Sequence, residues 1–125
     1  MESISPNIFV TDMKATIVFY KQLGFEVTMS VPETGGDLVW VMMVNGKVTF
    51  MFQAFESVAE ELPEIKRTDG GSLLLYINVA DIRGLFDSVK DKVTVLKGLE
   101  KTFYGSTEFS ILDNNNYVLT FAQHQ

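Results

Sequence analysis

A chain of 125 residues, 46% hydrophobic and 21% charged, is long enough for one domain with a real core and too apolar to stay disordered. Its formal net charge of −6, with ten scattered Lys and Arg residues, argues against a nucleic-acid partner, because affinity for a phosphate backbone rests on clustered cations. There is no cysteine for a disulfide or thiolate, no apolar run near the roughly 18 residues that cross a bilayer, and no basic flank and apolar stretch of a signal peptide. The expectation is a cytoplasmic protein without a membrane partner.

In chain order, an apolar strand reaches Val10 and Asp12 stands where a helix N-cap belongs. The helical period then brings Ile17, Val18 and Phe19 round before Gly24 releases the chain into a second strand, Phe25 to Val31. The stretch from Pro32 to Asp37 reads as a loop. Leu38 to Val44 is a third strand, and Asn45-Gly46 predicts a hairpin with a type I′ turn, since both residues tolerate positive φ. Lys47 to Phe52 is the returning strand. Phe55 to Leu62 predicts a short helix ended by Pro63; its Glu56, Glu60 and Glu61 read as a solvated face rather than a metal or acid-base cluster.

The pattern restarts at Ser72. A strand to Ala80 again ends Val-x-Asp, at Asp81, and Ile82 to Val89 makes the following helix. Gly84 inside that helix either costs about 1 kcal/mol relative to Ala or marks a close contact. Strands follow from Val93 to about Leu99, Glu108 to Leu112 and Tyr117 to Ala122, with Asp113 to Asn116 as the turn between the last two. Gly70-Gly71 precedes a strand, so it reads as a turn and not a phosphate loop. Strand, helix and three strands, twice over, suits neither a solenoid nor a doubly wound parallel sheet.

Val10-Thr11-Asp12, Phe19-Tyr20 and Leu23-Gly24-Phe25, followed later by Tyr104-Gly105, Glu108-Phe109-Ser110 and Asp113, resemble the vicinal-oxygen-chelate superfamily. That superfamily holds glyoxalase I, extradiol dioxygenases and bleomycin-resistance proteins, and the likeness is nearest the bleomycin-resistance and glyoxalase-like branch. The resemblance implies an α+β fold of two βαβββ modules forming a curved mixed sheet with helices outside. It also implies a concave site that in many members a second subunit completes, hence a homodimer. Residues 1–125 are then a single domain, with module one about 4–55, a linker about 56–71 and module two about 72–123.

Members that do metal chemistry hold a divalent ion by His, Glu or Gln from the first and fourth strands of each module. The first-strand His usually stands seven residues before the Val-x-Asp aspartate, which is Ser5 in module one and Leu74 in module two. The fourth-strand Glu falls at Thr49 or Phe50, depending on register, and at Thr120. A divalent ion needs three or four N or O donors at about 2.0–2.3 Å, and none of these residues is a strong one. The expected cofactor is none; the alternative is Zn, Ni, Mn or Fe held by ligands elsewhere. The single histidine, His124, is next to last, where chains fray, which also speaks against a Ser-His-Asp relay.

Strand alternation argues the facing. With Leu73, Leu75, Ile77 and Val79 under the helices, Leu74, Tyr76 and Asn78 point into the concavity; by the repeat, Ser5, Asn7 and Phe9 do so in module one. Thr120, with Val118 and Ala122, lies inside, while Leu119 and Phe121 lie under helices. Trp40, Tyr104 and Glu108 are further candidates for an apolar pocket with a few polar groups. The expected ligand residues are therefore Asn7, Phe9, Trp40, Tyr76, Asn78, Tyr104, Glu108 and Thr120, with no catalytic residue assigned. Each has a plainer role open to it. Asn7 and Asn78 can satisfy strand-edge backbone groups, and Trp40 can be core or dimer contact. Glu108 can sit at the surface; buried, it would carry a raised pKa and serve as a base or meet a cation.

Function then has three readings. The favoured one is a metal-free binding protein for a small aromatic or cationic molecule. The alternative is a metal-dependent lyase, isomerase or dioxygenase of the glyoxalase I type, so catalysis is left open. The third is a structural or regulatory module working through its dimer surface.

Overall fold

A computed structural model describes residues 1–58, 62–65 and 70–125. The chain divides into two compact units, Met1–Asp69 and Gly70–Gln125. Each is a βαβββ module with one four-stranded mixed sheet and a helix against one face.

In the first unit, β1 (Asn7–Val10) ends just before Asp12, whose extended backbone (φ −125°) and carboxylate cap the next segment by accepting the Ala15 N–H at 3.0 Å. That capping starts α1 (Met13–Gln22), which buries Met13, Thr16 and Tyr20. The helix stops at Gly24, whose φ of +92° only glycine adopts without strain. Then come β2 (Glu26–Val31), β3 (Trp40–Asn45), β4 (Val48–Ala54) and a single 3-10 turn, Phe55–Val58. The sheet order is β1-β4-β3-β2, with β1 parallel to β4 and the other pairs antiparallel.

Period-two alternation sends Ile8, Val10, Val41, Met43, Phe50 and Phe52 to the buried face. Tyr20 of α1 sits among three rings there, at 5.7 Å from Phe25, 5.8 Å from Phe50 and 4.7 Å from Phe52. Such pairs add about 0.5–1.5 kcal/mol each beyond area burial, so this aromatic knot fixes how α1 lies on its sheet.

The second unit repeats the plan with β5 (Leu74–Asn78), α2 (Ile82–Val89), β6 (Thr94–Lys101), β7 (Ser106–Leu112) and β8 (Val118–His124), in the order β5-β8-β7-β6. Phe109 and Phe121 stack at 5.1 Å under α2, whose Phe86 meets Phe109 edge-on at 5.0 Å. Asp81 caps α2 by accepting the Gly84 N–H at 3.1 Å. A Cβ on Gly84 would overlap that carboxylate, so this glycine marks a close contact. In the β7–β8 turn the buried Asp113 accepts the N–H groups of Asn115 (2.8 Å) and Tyr117 (2.9 Å) through one carboxylate oxygen. β6 lies at a sheet edge, with register irregularities between Val95 and Lys97 and again between Lys97 and Glu100.

Several boundaries differ from the expectation. β3 starts at Trp40 instead of Leu38, although Val39 still bonds Val31 on one side and Ala54 on the other. The hairpin turn lies one residue further on: Asn45 pairs with Val48, leaving Gly46 (φ +60°) and Lys47 as the loop, the glycine-first pattern of a II′ turn rather than I′. Asn45 is kept in the strand because its side chain donates to the Leu23 carbonyl at 3.1 Å. β6, β7 and β8 all run past their hydrophobic alternation, since a backbone ladder pairs regardless of side-chain polarity. Glu56 is exposed in the 3-10 turn, while Glu60 and Glu61 lie outside the described residues. No helix among the described residues is long and apolar enough to cross a membrane.

Candidate functional site

The second sheet covers one face with α2 and leaves the other open. Its register sets Tyr76 beside Thr120, Thr120 beside Ser110, Ala122 beside Glu108, and His124 beside Ser106. Because directly paired residues share a face, all of these point to the open side. They border a concavity of about 350 Å³ lined by Leu74, Tyr76, Lys97, Glu100, Tyr104, Glu108, Phe109, Ser110 and Thr120.

Glu108 is its centre. Its Oε2 accepts three hydroxyl hydrogen bonds, from Tyr76 (2.5 Å), Tyr104 (2.8 Å) and Ser106 (2.8 Å). Among the described residues no hydrogen bond reaches Oε1. Partial burial pushes the carboxyl pKa upward and is the largest single influence. The hydrogen bonds from Tyr76, Ser106 and Tyr104, with the charge of His124, outweigh it and hold the pKa below its ordinary value. The raised pKa expected for Glu108 is therefore corrected. Desolvation acts as foreseen, but three O–H donors on one oxygen favour the anion more strongly.

The phenols shift the opposite way for the same reason. Tyr76 is pushed up to about 12, chiefly because its proton bonds Glu108, and Tyr104 is raised by the same bond. Tyr76 carries one proton and donates it to Glu108. Its 3.2 Å contact with His124 Nε2 therefore requires the imidazole to be the donor. His124 is accordingly the last residue of β8 and a neighbour of the cluster, not the frayed tail expected of it.

Of the expected residues, the structure brings Tyr76, Tyr104 and Glu108 into direct contact and sets Thr120 in the same concavity, where its hydroxyl pairs with Ser110 at 2.8 Å. Asn78 is exposed on this face beside Ala122, and among the described residues no hydrogen bond ties it to Glu108. Asn7, Phe9 and Trp40 share the open face of the first sheet, since Phe9 and Trp40 both pair with Gln53 and Asn7 pairs with Met51. There Asn7 donates to Gln53 at 2.7 Å and Gln53 to Ser57 at 2.8 Å. Asn7 thus satisfies a side chain, not a strand edge.

Ser106 was missed, and His124 was set aside as a chain end. Both lie on alternations already in use, 106–108–110 and 118–120–122–124. Carrying the period two residues past the apolar run finds them.

The positions at which the superfamily's metal ligands would fall do not fit a divalent cation. Leu74 offers hydrocarbon, Phe50 is buried in the aromatic core, Ser5 is exposed, and the Thr120 hydroxyl is engaged with Ser110. The register places Thr49, not Phe50, on the open face, and a lone threonine hydroxyl is a weak ligand. Among the described residues no three His, Cys, Asp or Glu side chains gather closely enough to hold a metal.

The model of the Glyoxalase/Bleomycin resistance protein/Dioxygenase superfamily matches residues 4–121. No curated protein matches the sequence. Solved structures with a similar fold include a glyoxalase/bleomycin resistance protein/dioxygenase family enzyme from Burkholderia phytofirmans, at 24% identity over 97% of each chain with a TM-score of 0.78. A protein of unknown function from Agrobacterium tumefaciens is 22% identical over 100% of this chain and 95% of its own, with a TM-score of 0.80. A bleomycin resistance determinant encoded on the transposon Tn5 is 18% identical over 100% and 99%, with a TM-score of 0.67.

Proposed function

Because the chain belongs to the glyoxalase/bleomycin resistance protein/dioxygenase superfamily, we propose that it is a metal-free binding protein that holds a small aromatic or cationic molecule on the open face of its second module. The observation that carries this reading is the Glu108 carboxylate, kept anionic by three hydroxyls beside a concavity of about 350 Å³, with Oε1 turned to no partner among the described residues. A fixed negative charge beside two phenol rings attracts organic cations through Coulomb and cation–π terms, and the rings accept apolar bodies. Tyr76, Tyr104 and Thr120 line the site. Asn78 is proposed as a further contact, and Asn7, Phe9 and Trp40 are proposed as ligand residues on the open face of the first module itself.

The test is a thermal-shift and calorimetric screen with planar cations, bleomycin-type compounds among them. Stabilisation in wild type that Glu108→Gln abolishes supports the reading; no stabilisation by any of them overturns it. The same reading expects residues 1–125 to melt as one domain and to form a homodimer. The apolar open face of the first sheet around Trp40 and Met42 supports the dimer, and light scattering measures it.

A metal-dependent lyase, isomerase or dioxygenase is the second reading, favoured by the likeness in fold to the family enzyme from Burkholderia phytofirmans. Stoichiometric Zn, Ni, Mn or Fe in tag-free protein would establish it over the first.

A further inference from the structure

The hairpin joining β6 to β7 closes as a tight turn. The Gly105 N–H reaches the Thr102 carbonyl at 3.4 Å, and Gly105 follows at φ +89°, the glycine bulge that often completes such turns. The turn is well anchored. Thr102 N–H donates to the Ser106 carbonyl at 2.8 Å, the Thr102 and Ser106 hydroxyls meet at 2.8 Å, and Gln125 N–H donates to the Gly105 carbonyl at 3.1 Å.

The residues at its two central positions are Phe103 and Tyr104. Turn centres favour Gly, Pro, Asn, Asp and Ser, so turn chemistry does not account for two aromatics. Core packing does not either: Phe103 is fully exposed, at 102% of its reference area, and Tyr104 is half-exposed. A place where local rules are broken on a well-determined frame is where function is to be sought. Tyr104 has its reason, the bond to Glu108. Phe103 lies with its ring edge-on to that of Tyr104, centroids 5.1 Å apart, and Tyr104 in turn lines the concavity.

We propose that Phe103 is a specificity-determining residue that closes over a planar ligand bound at Glu108, so that the second module selects flat aromatic molecules over aliphatic ones of equal charge. This rests on the binding role proposed above. The occupant is a ligand rather than a protein partner because Phe103 is continuous with Tyr104 and, through it, with the carboxylate. The anchored turn fixes the backbone while the exposed side chain keeps its rotamer freedom, so stacking needs only side-chain rotation.

The experiment compares the planar cation proflavine with the aliphatic cation hexylammonium on wild type, Phe103→Asn, Phe103→Leu and Phe103→Trp. Asn suits a turn centre, so that variant folds even where others weaken. The Asn and Leu variants should bind proflavine roughly three- to tenfold more weakly, the scale of one aromatic contact, with hexylammonium unchanged and Trp retaining affinity. Unchanged proflavine affinity in Phe103→Asn overturns the proposal, as does an equal loss for both probes. A change of oligomeric mass with binding intact also overturns it and makes Phe103 a subunit contact. Wild type that binds neither cation instead sinks the binding role itself.

Discussion

Tyr76 and Glu108 meet at 2.5 Å although β8 runs between their strands. Two strand spacings are about 10 Å, a gap that a tyrosine and a glutamate can bridge only over something small. Ala122, the β8 partner of both Asn78 and Glu108, supplies that low ground.

Replacing Glu108 should release the phenols. In Glu108→Gln the Tyr76 hydroxyl is expected to titrate well below its wild-type value of about 12, toward the ordinary 10.0, with Tyr104 following. Phenolate absorbance during an alkaline titration reports it, and an unchanged late-titrating tyrosine contradicts the network. The folded-state pKa of Tyr76 is raised, so its contribution to stability is complete below pH 10 and disappears as pH rises through 12.

On the acid side the sign reverses. The folded-state pKa of Glu108 is depressed, so its contribution is present above the unfolded value near 4.5 and is lost as pH falls below that, through the folded-state pKa. Wild type and Glu108→Gln should therefore differ most in melting temperature at neutral pH and converge below pH 4.5. Parallel curves from neutral to acid would show that the carboxylate has no preferential stabilisation.

Gly84 and Asp81 should be coupled. Gly→Ala in a helix gains about 1 kcal/mol, while loss of an N-cap bond costs about the same. The added methyl displaces the Asp81 carboxylate, so Gly84→Ala alone is expected to be close to neutral. In an Asp81→Ala background the same change should stabilise by about 1 kcal/mol, a non-additivity that urea unfolding of the four proteins measures.

Asp113→Ala should destabilise by about 2–4 kcal/mol in urea, because two backbone N–H groups in the β7–β8 turn lose a charged acceptor. Asp113→Asn, which keeps an acceptor oxygen, should cost less.

Chelator treatment or added Zn, Ni or Mn should leave both the melting temperature and the affinity for a planar cation unchanged, because Leu74 and Thr120 offer a metal little to bind. A metal-dependent shift of several degrees would contradict this.

The fold was legible in the sequence because its signals are local and repeated. Asp12 and Asp81 both cap helices, and alternation put Ile77 under α2 and Tyr76 opposite it. The site was legible in part. Tyr76 could be named from facing, with Tyr104 and Glu108 as further candidates, but not that three hydroxyls converge on one oxygen, since that depends on register across three strands. The pKa direction went wrong for the same reason: desolvation can be guessed from burial, donors cannot. His124 was misjudged because proximity to a chain end says nothing about whether a ladder continues to it.

The irregular edge of the second sheet has a practical consequence. β6 combines two register breaks with Lys97, Glu100 and Lys101, and Lys97 and Glu100 pair at 3.1 Å along the strand. A strand kinked and charged in this way makes a poor template for an incoming chain. Concentrated solutions of the protein should therefore resist edge-to-edge fibre growth, and straightening this strand by removing its charges is the change most apt to bring it on.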